Sequence, residues 1–189
     1  MKKYILDNLE SIGKLFINHI GMTIFSLVVL ITSMLISEVV FYIMSVVAIL
    51  MYFSLIYTAM WERGAKDKNK IDGGRLKCNI FNGLYFYLLA NVFVIFTAFM
   101  MLVFAFFVTE EASTANEIHV VFRLITHFYN GMYMCFTKIQ SFGPILHSVI
   151  YLLTVLPGAI ISFVSYILGV KGFKCLFPET KKMKNKRFD

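Results

Sequence analysis

Long apolar segments separated by short polar ones make up most of the chain and predict helices that cross a membrane. The apolar runs cover residues 20–36, 39–60, 81–108 and 144–169. A helix needs about 17 to 25 predominantly apolar residues to cross a bilayer, and each run approaches or exceeds that length. Only Ser37 and Glu38 separate the first two runs, so we expect a tight helical hairpin there.

The segment before the first run has the pattern of an amphipathic helix. Within residues 3–17, apolar side chains recur at helical spacing on one face, at Ile5, Leu9, Ile12 and Phe16. Polar and charged side chains occupy the other face. Such a helix can lie in the headgroup region with its apolar face toward the hydrocarbon, so residues 3–17 predict an N-terminal interfacial helix.

A second amphipathic helix is predicted over residues 118–142. His119, Arg123, His127 and Asn130 follow each other at i, i+4, i+8 and i+11, which places them in one narrow polar stripe. The commoner origin of such a stripe is contact with water along the edge of an interfacial helix. The alternative is a binding site on the outer face, where Arg123 binds an anion or a lipid headgroup and the histidines titrate near neutral pH.

A metal centre is not expected in this stripe. Residues eight apart on a helix lie about 12 Å apart along its axis, so His119 and His127 cannot hold one ion by themselves. His147 is expected near the same level of the membrane, as a histidine whose hydrogen bonds are satisfied at the start of a helix; a cluster with His127 is the alternative. No cofactor is expected.

The last apolar run combines a predicted kink with a face of small residues. Pro157 and Gly158 fall in mid-membrane and should bend the helix. Small residues let helix backbones approach closely, and they recur here at i, i+4, i+7 and i+11, at Gly158, Ser162, Ser165 and Gly169. We expect this to be a packing face, directed either into the protein or toward a partner.

Composition and charge agree with an integral membrane protein. Of the 189 residues, 59% are hydrophobic and 15% are charged, whereas soluble domains are about half apolar and a quarter charged. The length suits one membrane domain, residues 1–172, followed by a basic tail, residues 173–189. Because the basic residues flank the apolar runs, the net charge of +7 points to anionic lipid headgroups rather than to nucleic acid.

The distribution of Lys and Arg predicts the topology. Of 18 such residues, three lie within the first 14 residues, six within 62–77 and seven from Lys171 onward. Short loops rich in Lys and Arg stay cytoplasmic. With four spans, all three segments, and therefore both termini, lie in the cytoplasm. The expected location is thus the cell membrane, which the chain crosses several times. Residues 118–142 then lie on or dip into the outer leaflet. Five spans, with that helix crossing, are the alternative.

Little in the sequence predicts catalysis. No catalytic motif is present, and the three cysteines are too far apart to form a paired framework. Asp67 and Asp72 lie between residues 62 and 77, where several glycines favour a loop, and they are interpreted as solvated charge. Asn91 lies deep in the third run, where we expect its amide to find a partner across a helix interface. An enzyme is therefore not expected.

Three short stretches carry a resemblance. They are Trp61-Glu-Arg-Gly-Ala-Lys-Asp-Lys-Asn69, Leu156-Pro-Gly158 and Tyr166-Ile-Leu-Gly-Val-Lys-Gly172, the last of which leads into the lysine-rich end. Together they resemble a group of small uncharacterised polytopic membrane proteins of Gram-positive bacteria. The resemblance implies a bacterial cytoplasmic membrane and a multi-pass fold. It implies no activity and no functional residue.

The expected fold class is therefore all-α: an integral membrane helical bundle with four transmembrane helices, an N-terminal interfacial helix and an outer amphipathic helix. The leading function hypothesis is a non-enzymatic accessory or scaffold subunit that binds a protein partner or a second copy of itself. It relies on the small-residue face and on the lack of charge within the apolar runs. The alternative is a component of a transporter or channel with a polar vestibule on the outer side.

Overall fold

Helices form all the regular structure in the described part of the chain. The computed structural model describes residues 2–75, 79–108, 114–135 and 143–173, and for residues 2–7 the backbone alone. Within these ranges lie seven α-helices and a short 3₁₀ segment, residues 131–135. The α-helices are α1 (Lys2–Met34), α2 (Glu38–Asp72), α3 (Asn82–Ala90), α4 (Val92–Ala105), α5 (Thr114–Tyr129), α6 (Pro144–Leu153) and α7 (Val155–Lys171). The prediction of an all-α bundle is confirmed.

Three helical segments are long and apolar enough to cross a membrane: Asn8–Met34 of α1, the whole of α2, and α6 with α7. The helices α3 and α4, bent by 65° at Asn91, give a fourth crossing if they form one broken span. Within the most apolar windows of the three long segments, only 28% to 44% of the residues are buried inside the molecule. Such outward-facing apolar surface suits lipid, and the chain is therefore a helical membrane protein.

The first two helices form the expected hairpin, but with longer arms. The hydroxyl of Ser37 caps α2 by accepting a hydrogen bond from the backbone N–H of Val40, at 3.2 Å. The predicted boundary between an interfacial helix and the first span is absent, because α1 runs without a break from Lys2 to Met34. The polar residues at that boundary are accommodated by contacts with other helices, and His19 is 4% exposed.

The helix α2 also runs further than predicted. We expected a loop after residue 61, yet α2 continues to Asp72 with Gly64 inside it. Gly64 faces Gly169 where α2 crosses α7, and a Cβ on either residue would collide with the backbone of the other helix. Glycine at this position therefore permits a close crossing, whose packing offsets the low helix propensity of the residue.

The small-residue face of α7 packs inside the protein. Gly158, Ser162, Ser165 and Gly169 are all buried. Gly158 lies against the ring of Tyr87, and the hydroxyl of Ser162 donates a hydrogen bond to the carbonyl of Gly83, at 2.6 Å. The contacts of this face are thus with α2 and α3 of the same chain.

Two of the predicted spans are interrupted. The last one breaks at Thr154, three residues before Pro157, where the kink was expected. Proline has no N–H to donate to the carbonyl four residues earlier, that of Leu153, so the helix is disturbed on that preceding turn.

The third span breaks at Asn91, whose side-chain amide donates to the carbonyl of Tyr87, at 2.9 Å. The predicted partner across a helix interface was wrong, because the amide shares the carbonyl of Tyr87 with the backbone N–H of Asn91, which donates to it at 3.0 Å.

A buried polar cluster ties α1, α2, α3 and α7 together at one end of the bundle. Asp67 is fully buried; it lies 3.2 Å from Nε of Arg63 and accepts a hydrogen bond from the hydroxyl of Tyr166, at 2.9 Å. Arg63 in turn donates to Asn8, at 2.7 Å, and Asn82 donates to Tyr166, at 3.2 Å. The interpretation of Asp67 as solvated charge was wrong, because the continuation of α2 turns this carboxylate toward α7.

The buried pair of Arg63 and Asp67 should control stability. Replacing Asp67 with Ala leaves the guanidinium of Arg63 without its carboxylate, which costs about 3 to 5 kcal/mol for a buried pair. Asp72, exposed at the end of the same helix, provides the matched control, and Asp72→Ala should change stability by no more than about 0.5 kcal/mol. Unfolding in detergent micelles measures both variants; equal stabilities would show that Asp67 is solvated after all.

Candidate functional site

The helix α5 runs back along α4 in the opposite direction. The rings of Phe104 and Phe122 stack with their centroids 5.8 Å apart, and those of Phe93 and Tyr129 meet edge to face at 4.8 Å. The predicted helix over residues 118–142 is thus shorter at its end, since α5 stops at Tyr129 and residues 131–135 form a 3₁₀ segment. Residues 136–142 of the prediction lie outside the described part of the chain.

The carboxyl-terminal end of α5 is tied to the middle of α1. The carbonyl of Tyr129 accepts hydrogen bonds from Nε2 of His19, at 2.9 Å, and from the hydroxyl of Thr23, at 2.8 Å. Carbonyls at the end of a helix lack partners in their own helix, so these two donors satisfy one of them. Asn130, a member of the predicted stripe, is buried here and donates to the carbonyl of Thr126, at 3.0 Å.

The same histidine begins a chain of buried hydroxyl groups. A carbonyl only accepts, so Nε2 of His19 carries the hydrogen, and Nδ1 of the neutral ring accepts from the hydroxyl of Tyr52, at 2.9 Å. The side chain of Tyr52 also interacts with that of Tyr87. This series of buried polar groups was not predicted from the sequence. His19 falls between two predicted elements, and each tyrosine occupies a position that the pattern treats as ordinary apolar.

At the other end of α5 the polar stripe faces a cavity. The cavity has a volume of about 300 Å³ and lies between the start of α5 and the start of α6. We call it the vestibule; it is lined by Val108, Asn116, His119, Val120, Arg123, Gly143, Pro144 and His147. His119 is 4% exposed and His147 is 1% exposed. The stripe is therefore directed toward α6, which corrects its interpretation as the solvated edge of a surface helix.

Below the vestibule, the possible cluster of His127 with His147 is present. The two rings meet edge to face with their centroids 5.1 Å apart. Tyr151, one turn further along α6, stacks on His127 at 4.7 Å and contacts His147 at 5.1 Å. Of the four predicted binding residues, the structure thus brings His119 and Arg123 to the vestibule, places His127 beneath it, and separates Asn130 from it.

Several buried polar atoms around the vestibule have no hydrogen-bond partner in the protein. They are Nε2 of His119, Nε2 of His127, both ring nitrogens of His147, the hydroxyl of Tyr151 and that of Thr126. Leaving a buried polar group unsatisfied costs about 1 to 3 kcal/mol. Such a concentration of unsatisfied groups on two neighbouring helices indicates a place where a polar ligand or water completes the structure.

The electrostatics of the vestibule are dominated by Arg123. Burial lowers the pKa of His119, and the neighbouring charge of Arg123 lowers it further. For His127, burial together with His147 and Arg123 lowers the pKa to about 4. Both imidazoles are thus neutral at pH 7, and the guanidinium supplies the positive charge. In the described ranges no group of three His, Cys, Asp or Glu side chains is arranged to hold a metal ion.

Fold and site together define a multi-pass helical membrane protein with a polar, arginine-bearing cavity at one end of its bundle. Comparison with protein-family models, with curated proteins and with solved structures found no match to this chain. The function is therefore inferred from the site itself.

The lowered pKa of His127 predicts a pH-dependent stability. The unfolded chain takes up a proton at this side chain near pH 6.5, whereas the folded protein does so only near pH 4. Between these values the unfolded state binds more protons, so stability should fall as the pH falls. The variant His127→Phe should lose less thermal stability between pH 7 and pH 5 than the native protein, measured by melting in detergent. Identical losses would contradict a buried neutral His127.

Proposed function

We propose that the protein is a component of a transporter or channel in a bacterial cell membrane, and that its vestibule receives a small polar solute. One observation supports this most strongly. Imidazole nitrogens that are buried and without partners lie on an open cavity, beside an arginine. Solute sites within membrane proteins use such inward-facing polar side chains, because hydrocarbon offers no hydrogen bonds.

The accessory-subunit hypothesis stays a prediction with less support. Its main structural argument was the small-residue face of α7, which packs against α2 and α3 of the same chain. Its second argument was the absence of charge within the spans, yet α2 carries the buried pair of Arg63 and Asp67 near its end. A protein partner or a second copy of the chain is still expected of so small a membrane protein.

The vestibule is proposed to open outside the cell. Basic side chains of α1 and of the end of α2 gather at the opposite end of the bundle: Lys14 pairs with Glu62, Lys66 pairs with Glu10, and Lys68 lies against Gly172 at the end of α7. Under the rule that such ends stay cytoplasmic, both termini lie inside the cell, where the basic residues contact anionic headgroups. The bacterial origin rests on the resemblance of the sequence.

Labelling of single cysteines tests both the vestibule and its direction. In a background without the native cysteines, an impermeant thiol reagent added to intact cells should label Val120→Cys, whose side chain lines the vestibule. Leu124→Cys, one turn along α5 and 61% exposed on an apolar surface, should react far more slowly because lipid covers it. Lys68→Cys at the basic end should be protected until the cells are opened.

Two outcomes would contradict the proposal. Protection of position 120 even after the cells are opened would exclude a water-filled vestibule. Labelling of position 68 on intact cells, with position 120 protected, would reverse the proposed orientation.

A further inference from the structure

We infer that the vestibule binds an oxyanion, such as a phosphate group carried by a free solute or by a lipid headgroup, with Arg123 as its principal ligand. The inference rests on the proposed function and gives the chemical class of the solute.

The surroundings of Arg123 favour an anionic ligand. This half-buried guanidinium has no carboxylate within 4 Å among residues 8–75, 79–108, 114–135 and 143–173. The contrast with Arg63 in the same protein is direct, because that arginine pairs with Asp67 and Asn8. A partly desolvated guanidinium presents a planar fork of N–H donors, which matches the oxygens of phosphate or carboxylate.

The polar groups around this charge also favour an anion. His119 and His147 line the same cavity, and neither ring has a hydrogen-bond partner at the nitrogens named above. A neutral imidazole carries one N–H, so each ring can donate to a bound oxygen atom. Several hydrogen-bond donors around one positively charged side chain are the arrangement that an oxyanion requires. A positively charged ligand would instead be repelled by Arg123.

The size of the cavity suits a compact anionic group. A cavity of about 300 Å³ is at the lower end of the range for ligand pockets, which reaches about 1,000 Å³. A compact anionic group with a few waters fits this volume, whereas a large apolar ligand would leave the guanidinium and both imidazoles without hydrogen bonds. The cavity is partly open to its surroundings, so the anionic group can belong either to a free solute or to a lipid headgroup.

Calorimetric titration with inorganic phosphate tests the free-anion source. The full-length protein is purified in a neutral detergent and titrated at constant ionic strength. Loss of a charge-assisted hydrogen bond costs about 1.5 to 3 kcal/mol, so Arg123→Gln should weaken phosphate binding by about tenfold or more. Arg123→Lys should bind more tightly than Arg123→Gln, because it keeps the charge but loses the fork. Lys66→Gln, an exposed site at the basic end, should bind like the native protein.

Mass spectrometry of co-purified lipid tests the headgroup source. If a headgroup occupies the vestibule, native protein and Lys66→Gln retain a phospholipid that Arg123→Gln loses, and inorganic phosphate competes for its place. The folding of every variant is checked by melting, and Arg123→Lys replaces Arg123→Gln in both arms if the latter does not fold.

The inference is overturned if neither phosphate nor phospholipid distinguishes folded native protein from the Arg123 variants. Reaction of Val120→Cys with the thiol reagent separates this failure from a failure of the proposed function. A reactive position 120 without anion binding leaves a vestibule for another solute, and an unreactive one removes the vestibule itself.

Discussion

Two hydrogen bonds to the carbonyl of Tyr129 determine how the half of the bundle with the vestibule is arranged. The donors, His19 and Thr23, lie near the middle of α1, so they draw the end of α5 into the bundle and away from its surface. With that end held and with α5 packed along α4, the polar stripe has to face α6. A helix lying flat on the membrane would have presented the same side chains to water, and no cavity would have formed between His119 and His147.

The buried polar groups of this protein fall into two kinds. Around Asp67, a carboxylate, a guanidinium, a phenol and two amides nearly satisfy one another, which holds four helices together at the basic end. Around the vestibule, imidazole nitrogens are buried without partners beside Arg123. In a low-dielectric environment satisfied networks rigidify a fold, while unsatisfied ones cost stability that a bound ligand can restore. This difference distinguishes the structural cluster around Asp67 from the candidate binding site at the vestibule.

The sequence predicts the elements that depend on local pattern. Apolar runs of membrane length gave the helical class, and the spacing of His119, Arg123 and His127 identified the polar side of α5. What it could not give were features decided by contacts between distant helices. The sequence predicts that a helix ends near Gly64, because the contact of Gly64 with Gly169 on α7 is not visible there. It predicts a solvated loop residue at Asp67, because the continuation of α2 past Asp67 is not visible either. Gly169 belongs to a periodic face that predicts packing, but Gly64 and Asp67 belong to no such pattern, so their partners could not be read from the sequence.

Disulfide cross-linking between α1 and the segment after α5 tests the inward position of α5 most directly. A Cβ built on Gly131 lies 2.9 Å from Cγ of Leu27. The Cβ of Leu27 is one bond further on, so the two Cβ atoms lie no more than about 4.5 Å apart, which is the upper end of the separation found in disulfides. In native membranes, and without the natural cysteines, Leu27→Cys combined with Gly131→Cys should cross-link rapidly under mild oxidation, while Leu27→Cys combined with Val121→Cys should not. Failure of the first pair to cross-link, in protein that is folded and inserted, would contradict the arrangement.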